Sequence, residues 1–438
     1  MHATAAVPDA SAAHSPRRRF RNIVGGSAGN LVEWFDWYVY SAFALYFAPV
    51  FFPKGDATAQ LLNTAAIFAV GFVMRPIGAW AMGVYADQRG RKAGLMLSVS
   101  LMCVGSLLIA VAPGYARAGM LSPAILVTAR IIQGLSLGGE YGSSATYLSE
   151  MANRERRGFW SSFQYVTIIG GQLTALALLV VLQATIGEVA MQAWGWRVGF
   201  AAGAVLAIVV YFIRRRLDET LSYENVAARP DRRRSTIGTL FREHPREALL
   251  VIALTAGGTA AFYAYTIYLQ KFLANTSGFD RATASRIMTV ALTAMLVLQP
   301  IAGRISDAVG RKPMMIFFGT GATLFTYPIF VALERTHDIP AAFFLVMATL
   351  VIVTGYTSIN AIIKAEMFPA DIRALGVALP YAIANALFGG TAEYIALWFK
   401  DAGHERWFYV YISALAALSL IAYVRMRETR NTSRIEED

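Results

Sequence analysis

Gly83-Val84-Tyr85-Ala86-Asp87-Gln88-Arg89-Gly90-Arg91-Lys92 and Gly303-Arg304-Ile305-Ser306-Asp307-Ala308-Val309-Gly310-Arg311-Lys312 share one skeleton, Gly-x3-Asp-x2-Gly-Arg-Lys, with identical internal spacing. Each is followed, at nearly the same offset, by a second matched pair. Glu150-Met151-x5-Arg157 in the first half answers Glu366-Met367-x5-Arg373 in the second. Two unrelated motifs repeating in step imply that the chain is built twice over from one unit.

The residues around these motifs say what the unit is. The chain has 438 residues, 56% of them hydrophobic and only 15% charged, with a mean hydropathy of +0.47. That is too apolar to cover a soluble surface. Mostly uncharged stretches of about 20 residues recur along its length, and each suits one bilayer crossing. Helices are expected near Phe20–Val50, Leu61–Val84, Ala93–Ala112, Leu121–Glu150, Gly158–Gln183 and Trp196–Ile213. Six more are expected near Ala248–Lys271, Ala284–Ile305, Pro313–Leu333, Ala341–Met367, Ala374–Phe399 and Phe408–Val424. The fold class is therefore an all-α membrane protein of twelve transmembrane helices in two six-helix pseudo-repeats. Its divisions are a disordered cytoplasmic arm (1–19), an N-terminal bundle (20–213), a cytoplasmic linker (214–247), a C-terminal bundle (248–424) and a cytoplasmic tail (425–438).

The net charge of +11 follows from where the cations stand. Arg17–Arg21, Arg89–Lys92, Arg154–Arg157, Arg232-Arg233-Arg234, Arg311-Lys312 and Arg425–Arg434 all fall in alternate loops, whereas the other loops carry isolated cations such as Lys54, Arg117 and Lys400. The imbalance is roughly threefold, which places both termini in the cytoplasm and argues against nucleic-acid binding. One cysteine, Cys103, excludes an internal disulfide or thiolate metal site. The five histidines lie in tails or loops, so no catalytic or metal constellation forms around them. No Gly-x4-Gly-Lys-[Ser/Thr] loop is present, which removes an ATP-driven pump.

Charges left within apolar spans are costly and mark pathways. Glu33 and Asp36 share one face of helix 1 with Tyr40; Arg75 precedes a kink at Pro76; Arg130 and Gln133 stand on helix 4 beside a Gly134/Gly138/Gly142 stripe. An Asp on one helix facing an Arg on another suits proton coupling, with Glu33, Asp36 and Arg130 as the participants. A permanent structural ion pair is the alternative. Arg75 and Arg130 would attract an anion. Gln133, Tyr141, Gln164, Gln172, Tyr263, Tyr268, Tyr381 and Asn385 offer hydrogen bonds to a small polar solute, and Lys364 either enters the cavity or snorkels to the interface. All four of the marked intramembrane charges sit in the first half, so the second is expected to offer mostly phenols and amides.

The doubled loop resembles the signature of the major facilitator superfamily. The resemblance implies a rocking carrier in which Gly83, Asp87, Gly90, Arg91, Asp307, Arg311, Glu150, Arg157, Glu366 and Arg373 form the cytoplasmic gate network. The strings Gly29-Asn30-x2-Glu33-Trp34-Phe35-Asp36, Arg75-Pro76-Ile77-Gly78 and Arg130-x2-Gln133-Gly134 are similar to the metabolite:proton symporter branch, whose members carry shikimate, citrate, proline/betaine or 2-oxoglutarate. Gly138–Gly142, Phe163–Thr167 and Lys364–Pro369 look most like the members that carry 2-oxoglutarate. The likeness implies uptake of a small carboxylate with protons by a monomer in a bacterial inner membrane, driven by the proton gradient with no cofactor or metal. Another organic acid or zwitterion, an exporter and a channel are the competing readings.

Overall fold

The computed structural model describes residues 30–89, 91–138, 145, 149, 154–215, 236–369 and 372–435. The expected arm (1–19) and most of the expected linker lie outside these residues.

Helices account for the architecture throughout. In the first half, α1 comprises residues 30–42 and, beyond a turn at Phe43, Ala44–Phe51; α2 is Ala57–Arg89, α3 Arg91–Val111, α4 Leu121–Leu137, α5 Arg157–Ala190 and α6 Trp196–Arg215. In the second half, α7 runs Pro245–Tyr263 and Leu269–Asn275, α8 Arg281–Val309, α9 Arg311–Arg335, and α10 Ile339–Thr357 with Asn360–Met367. Then come α11, Arg373–Ala384 with Ala392–Asp401, and α12, Arg406–Arg425. All the helices but α1, α3 and α4 lie in stretches long and apolar enough to span a bilayer. Large apolar side chains such as Trp80 (61% exposed) and Leu249 (63%) face outward, as they must when the surrounding solvent is hydrocarbon.

The duplication is visible in the packing. Helix α3 lies along α6 and α2 along α4; six helices later α9 lies along α12 and α8 along α10. Helix α5 meets α8, and α2 meets α11, where the halves face each other. Two glycines of the expected stripe act as their small size suggests: a Cβ on Gly134 would collide with the Gly71 carbonyl, and one on Gly138 with the Arg75 carbonyl, while Gly142 lies outside the described residues. These contacts bring α2 and α4 backbone to backbone, and so bring Arg75 and Arg130 close to one another.

Among the departures from the expected ranges, two change the shape of an element. Helix α5 continues to Ala190 and changes direction at Gly187, whose φ of 77° an L side chain rarely adopts. The expected linker contains a short helix, Ile237–Glu243, whose first turn is capped by the Thr236 hydroxyl. Proline caps and breaks shape the rest. Pro76, Pro300 and Pro380 sit inside α2, α8 and α11, and wide π turns at Ala264–Tyr268 and Asn385–Gly389 interrupt α7 and α11. Such turns expose backbone groups and recur at functional sites.

Candidate functional site

Asp36 is completely buried on α1. Ser106 of α3 donates to its Oδ1, and Gln133 of α4 donates from Nε2 to Oδ2 at 2.9 Å. Arg130, one turn before Gln133, donates from Nη1 to the Gln133 Oε1 at 2.9 Å. The expected facing of Asp36 and Arg130 is therefore relayed: among the described residues, Gln133 stands between them and no direct ion pair joins them. The fully buried Arg130 guanidinium stacks 3.8 Å over Trp37 and 4.6 Å over Tyr40, leaving Nε and Nη2 without a hydrogen-bond partner among the described residues. Glu33 is buried one turn before Asp36.

The same indole also carries the second cation. Arg75 lies 4.2 Å from the Trp37 ring, 4.0 Å from Phe72 and 5.2 Å from Trp34. Its Nε and Nη2 are buried with no hydrogen-bond partner among the described residues. A guanidinium in that condition keeps its planar fork available for a carboxylate. Arg75 lines a narrow cleft between the halves, with Asn30 and Trp34 of α1 opposite Tyr381 and Asn385 of α11. The free space there is about 10 Å³, roughly one water molecule. Any larger solute enters only when the halves part.

From the second half, Lys364 comes to the same place. It is 1% exposed, with Nζ 3.9 Å over the Tyr381 ring, so it enters the interior and does not snorkel. Asn385 accepts from the Thr259 hydroxyl while its Nδ2 remains without a partner among the described residues. Tyr263 packs edge-on to Phe72 across the halves at 5.0 Å. Gln172 donates to the Thr266 carbonyl, so in this closed arrangement it ties α5 to α7. Gln164 is buried on the same face of α5. One expected site residue is displaced: Tyr268 donates to Glu405 at 2.9 Å, near the loop between α11 and α12. Tyr141 lies outside the described residues.

Charge is also buried in the second half, contrary to the expected division. Lys271 of α7 and Glu393 of α11 form an ion pair at 2.8 Å, with side chains 0% and 5% exposed. Ser41 of α1 accepts from Lys271 at 2.8 Å and donates to Glu393 at 3.3 Å. This trio joins the halves on the face away from residues 30 and 425. Lys271 was hidden from sequence reasoning because it closes an apolar run, where a lysine passes for an interfacial residue.

On the face of residues 30 and 425, Asp307 of α8 accepts from the backbone N–H groups of Gly158 at 2.7 Å and Phe159 at 2.9 Å. A carboxylate from one half thus caps the α5 N-terminus in the other. Arg311 bonds Asp307 at 2.8 Å and stands 3.7 Å from Glu366. The backbones touch here: a Cβ on Gly303 would lie 2.5 Å from the Gly158 carbonyl. Arg157 is buried beside this seam. Arg373 donates to the Ala365 and Phe368 carbonyls at the α10–α11 corner. The side chains of Asp87 and Arg91, with Gly83, Gly90 and Glu150, lie outside what the structure describes. Among the described residues no cluster of His, Cys, Asp or Glu is arranged to hold a metal ion.

Comparisons with known proteins converge on this architecture. A family model for sugar (and other) transporters matches residues 22–237 and 223–437. The alpha-ketoglutarate permease of Escherichia coli is 53% identical over 405 residues, covering 92% of this chain and 93% of the relative. A citrate-proton symporter of Salmonella typhi is 32% identical and covers 86% of each chain. Among solved structures, a D-xylose-proton symporter superposes with a TM-score of 0.72 over 95% of this chain and 99% of its own, at 18% identity, a likeness of fold. The relatives named are transporters, not enzymes.

Proposed function

The chain belongs to the sugar (and other) transporter family, with the major facilitator fold, and from that premise we propose that it is a proton-coupled symporter for 2-oxoglutarate. It works as a monomer in a bacterial inner membrane with both termini cytoplasmic, driven by the proton gradient without a cofactor. The observation that carries the substrate is the Arg75 guanidinium, buried at the junction of the halves with Nε and Nη2 unused among the described residues. The 53% identity to an alpha-ketoglutarate permease supports the same choice.

When the halves part on the periplasmic face, the dianion enters between them. One carboxylate takes the Arg75 fork; the other meets Lys364 near Tyr381, with Asn385 donating from Nδ2. A dianion held by one cation from each half draws the halves together, so binding favours the occluded state by its differential affinity for it. The proton binds Asp36. A neutral Asp36 no longer needs Gln133 as donor, and Gln133 in turn loosens Arg130. Because Arg130 and Arg75 share the Trp37 ring, the change reaches the substrate cation through one side chain. Glu33, Gln164, Gln172 and Tyr263 shape the surrounding interior. Asp87, Arg91, Glu150, Asp307, Arg311, Arg157 and Glu366 close the cytoplasmic face.

The test is uptake of labelled 2-oxoglutarate into proteoliposomes under an imposed proton gradient, with succinate, citrate, shikimate and proline as competitors. Accumulation above a protonophore control, displaced by dicarboxylates, is expected. Absence of accumulation would sink the transport reading; displacement by shikimate or proline but not succinate would remove the dicarboxylate alone.

A further inference from the structure

The buried pair of Lys271 and Glu393 has no part in the cycle described above. Both residues belong to the second half, with Nζ 2.8 Å from Oε1. What ties them to the first half is Ser41 of α1, which accepts from Lys271 and donates to Glu393. Taking two charges out of water commonly costs more than their attraction returns. Such a pair inside a membrane span is therefore weak evidence for stability and better evidence for a task.

The pair lies on the way to Arg75. One turn before Glu393, α11 presses on Phe72, where a Cβ on Gly390 would collide with the ring. On α7, Tyr263 packs on the same ring at 5.0 Å, and Lys271 follows Tyr263 by about two turns. Arg75 lies 4.0 Å from that ring. Lys271 and Glu393 thus stand beyond Phe72, toward the face away from residues 30 and 425, which the reading above makes periplasmic. Contacts between the halves close that face. Gln270 of α7 donates to the Ala42 carbonyl at 3.4 Å, and Glu188 of α5 pairs with Arg281 of α8 at 2.9 Å. Parting the halves there takes Ser41 away but leaves Lys271 beside Glu393, because those two move together. The ammonium then has lost an acceptor and borders the widening gap.

We infer that Lys271 and Glu393 form an outer receptor for a carboxylate, opened by a proton: protonated Glu393 releases Lys271, whose ammonium takes the incoming anion before Arg75 does. The inference rests on the carboxylate reading of the substrate. As the anion passes on to Arg75, Glu393 returns its proton to the open side and pairs with Lys271 again, and Ser41 closes over both. Proton and anion strengthen each other's binding by the same factor. The other groups near Glu393 leave the exchange to Lys271. Tyr40 of α1 and Tyr268 of α7 face it, with their hydroxyls committed to the Thr64 carbonyl and to Glu405. Glu405 is held by Lys400 at 3.1 Å, and Arg406 at the start of α12 is turned to Glu334 at 3.0 Å. Helix α2, which packs on α11, has no ionisable side chain over residues 57–74.

The test is 2-oxoglutarate counterflow by full-length protein in proteoliposomes at equal pH on both sides, with kcat and KM measured in mildly acidic and mildly alkaline medium. Each variant is compared with the unaltered protein in the same medium, so that the titration of Asp36 cancels. Glu393→Gln stands in for the protonated acid. Its KM should match the unaltered value in acid and fall about tenfold below it in alkali, a usual size for coupling between sites, with kcat within a few-fold. Glu393→Gln combined with Lys271→Gln removes the cation as well. Its KM should lie about tenfold above the unaltered value in acid and match it in alkali. A pair that only steadies the fold or fastens the halves would change kcat or the melting temperature and leave both KM ratios independent of the medium. That result overturns the inference. If Glu393→Gln alone does not fold, the double variant decides by its own ratio. Absence of 2-oxoglutarate counterflow in the unaltered protein would remove the substrate reading and the receptor with it, whereas intact counterflow with medium-independent ratios removes the receptor alone.

Discussion

Asp36 and Arg75 are both charges buried in the first half, and their surroundings are opposites. Asp36 is enclosed by partners from its own half: Ser106, Gln133 and, one step on, Arg130. Arg75 stands at the junction of the halves on three aromatic rings, with Nε and Nη2 unsatisfied among the described residues. A buried carboxylate whose partners all belong to one bundle can gain or lose its charge without breaking a contact between the halves. A buried guanidinium lacking acceptors is suited to receiving an anion from outside. The proposed proton site and the proposed substrate site differ in this way, and Trp37, which touches both guanidiniums, is the element common to them.

The largest effect that would break this comparison is at Arg75. Arg75→Gln is expected to reduce kcat/KM for 2-oxoglutarate uptake on the order of 100-fold, the loss typical of removing one partner of a buried charge pair. Counterflow should fall equally. Preserved counterflow would show that the anion binds elsewhere. A smaller effect is expected at Trp37. Trp37→Leu removes the shared ring and with it cation–π contacts worth ~1–2 kcal/mol when desolvated. Uptake in that variant should drop roughly tenfold while protons leak without substrate; tight coupling in Trp37→Leu would remove the indole from the path.

The smallest effect lies outside both regions. Asp280 caps α8, accepting from the Thr283 N–H at 2.9 Å, and the Thr283 hydroxyl and backbone hold its carboxyl below the usual value. Because the folded-state value is lowered, this carboxylate stabilises the fold above its unfolded value, and the contribution is lost as pH falls through the lowered one. Asp280→Ala should therefore lower the melting temperature slightly at neutral pH, less in acid, with transport unchanged. A transport defect there would mean that general loosening of the bundle mimics site defects.

Much of the architecture was legible because its signals are periodic. The Asp87/Asp307 skeletons and the Glu150/Glu366 pair imposed two halves, and hydrophobic runs supplied the helices. Arg75, Tyr381, Asn385 and Lys364 do share the interior as their positions within spans suggested. What escaped depended on tertiary geometry. Whether Asp36 meets Arg130 directly or through Gln133 is decided by the side-chain reach of α1 to α4, which spacing along either helix does not encode. Tyr268 shares its helix with Tyr263, but its hydroxyl is taken by Glu405 of the α11–α12 loop, a partner that only the packing of α7 supplies. Lys271 and Glu393 find each other only because α7 and α11 converge away from the chain ends.

The separation of proton and substrate sites is tested most directly by Asp36→Asn in proteoliposomes, measuring 2-oxoglutarate counterflow and gradient-driven accumulation side by side. An amide keeps the shape, accepts from Gln133 on its one oxygen and can donate from Nδ2 to the Ser106 hydroxyl, but it cannot carry the proton cycle. Counterflow within a few-fold of the unaltered protein, with accumulation abolished, is the expected result. Loss of both at equal measure in folded protein, or accumulation that persists, would contradict the account.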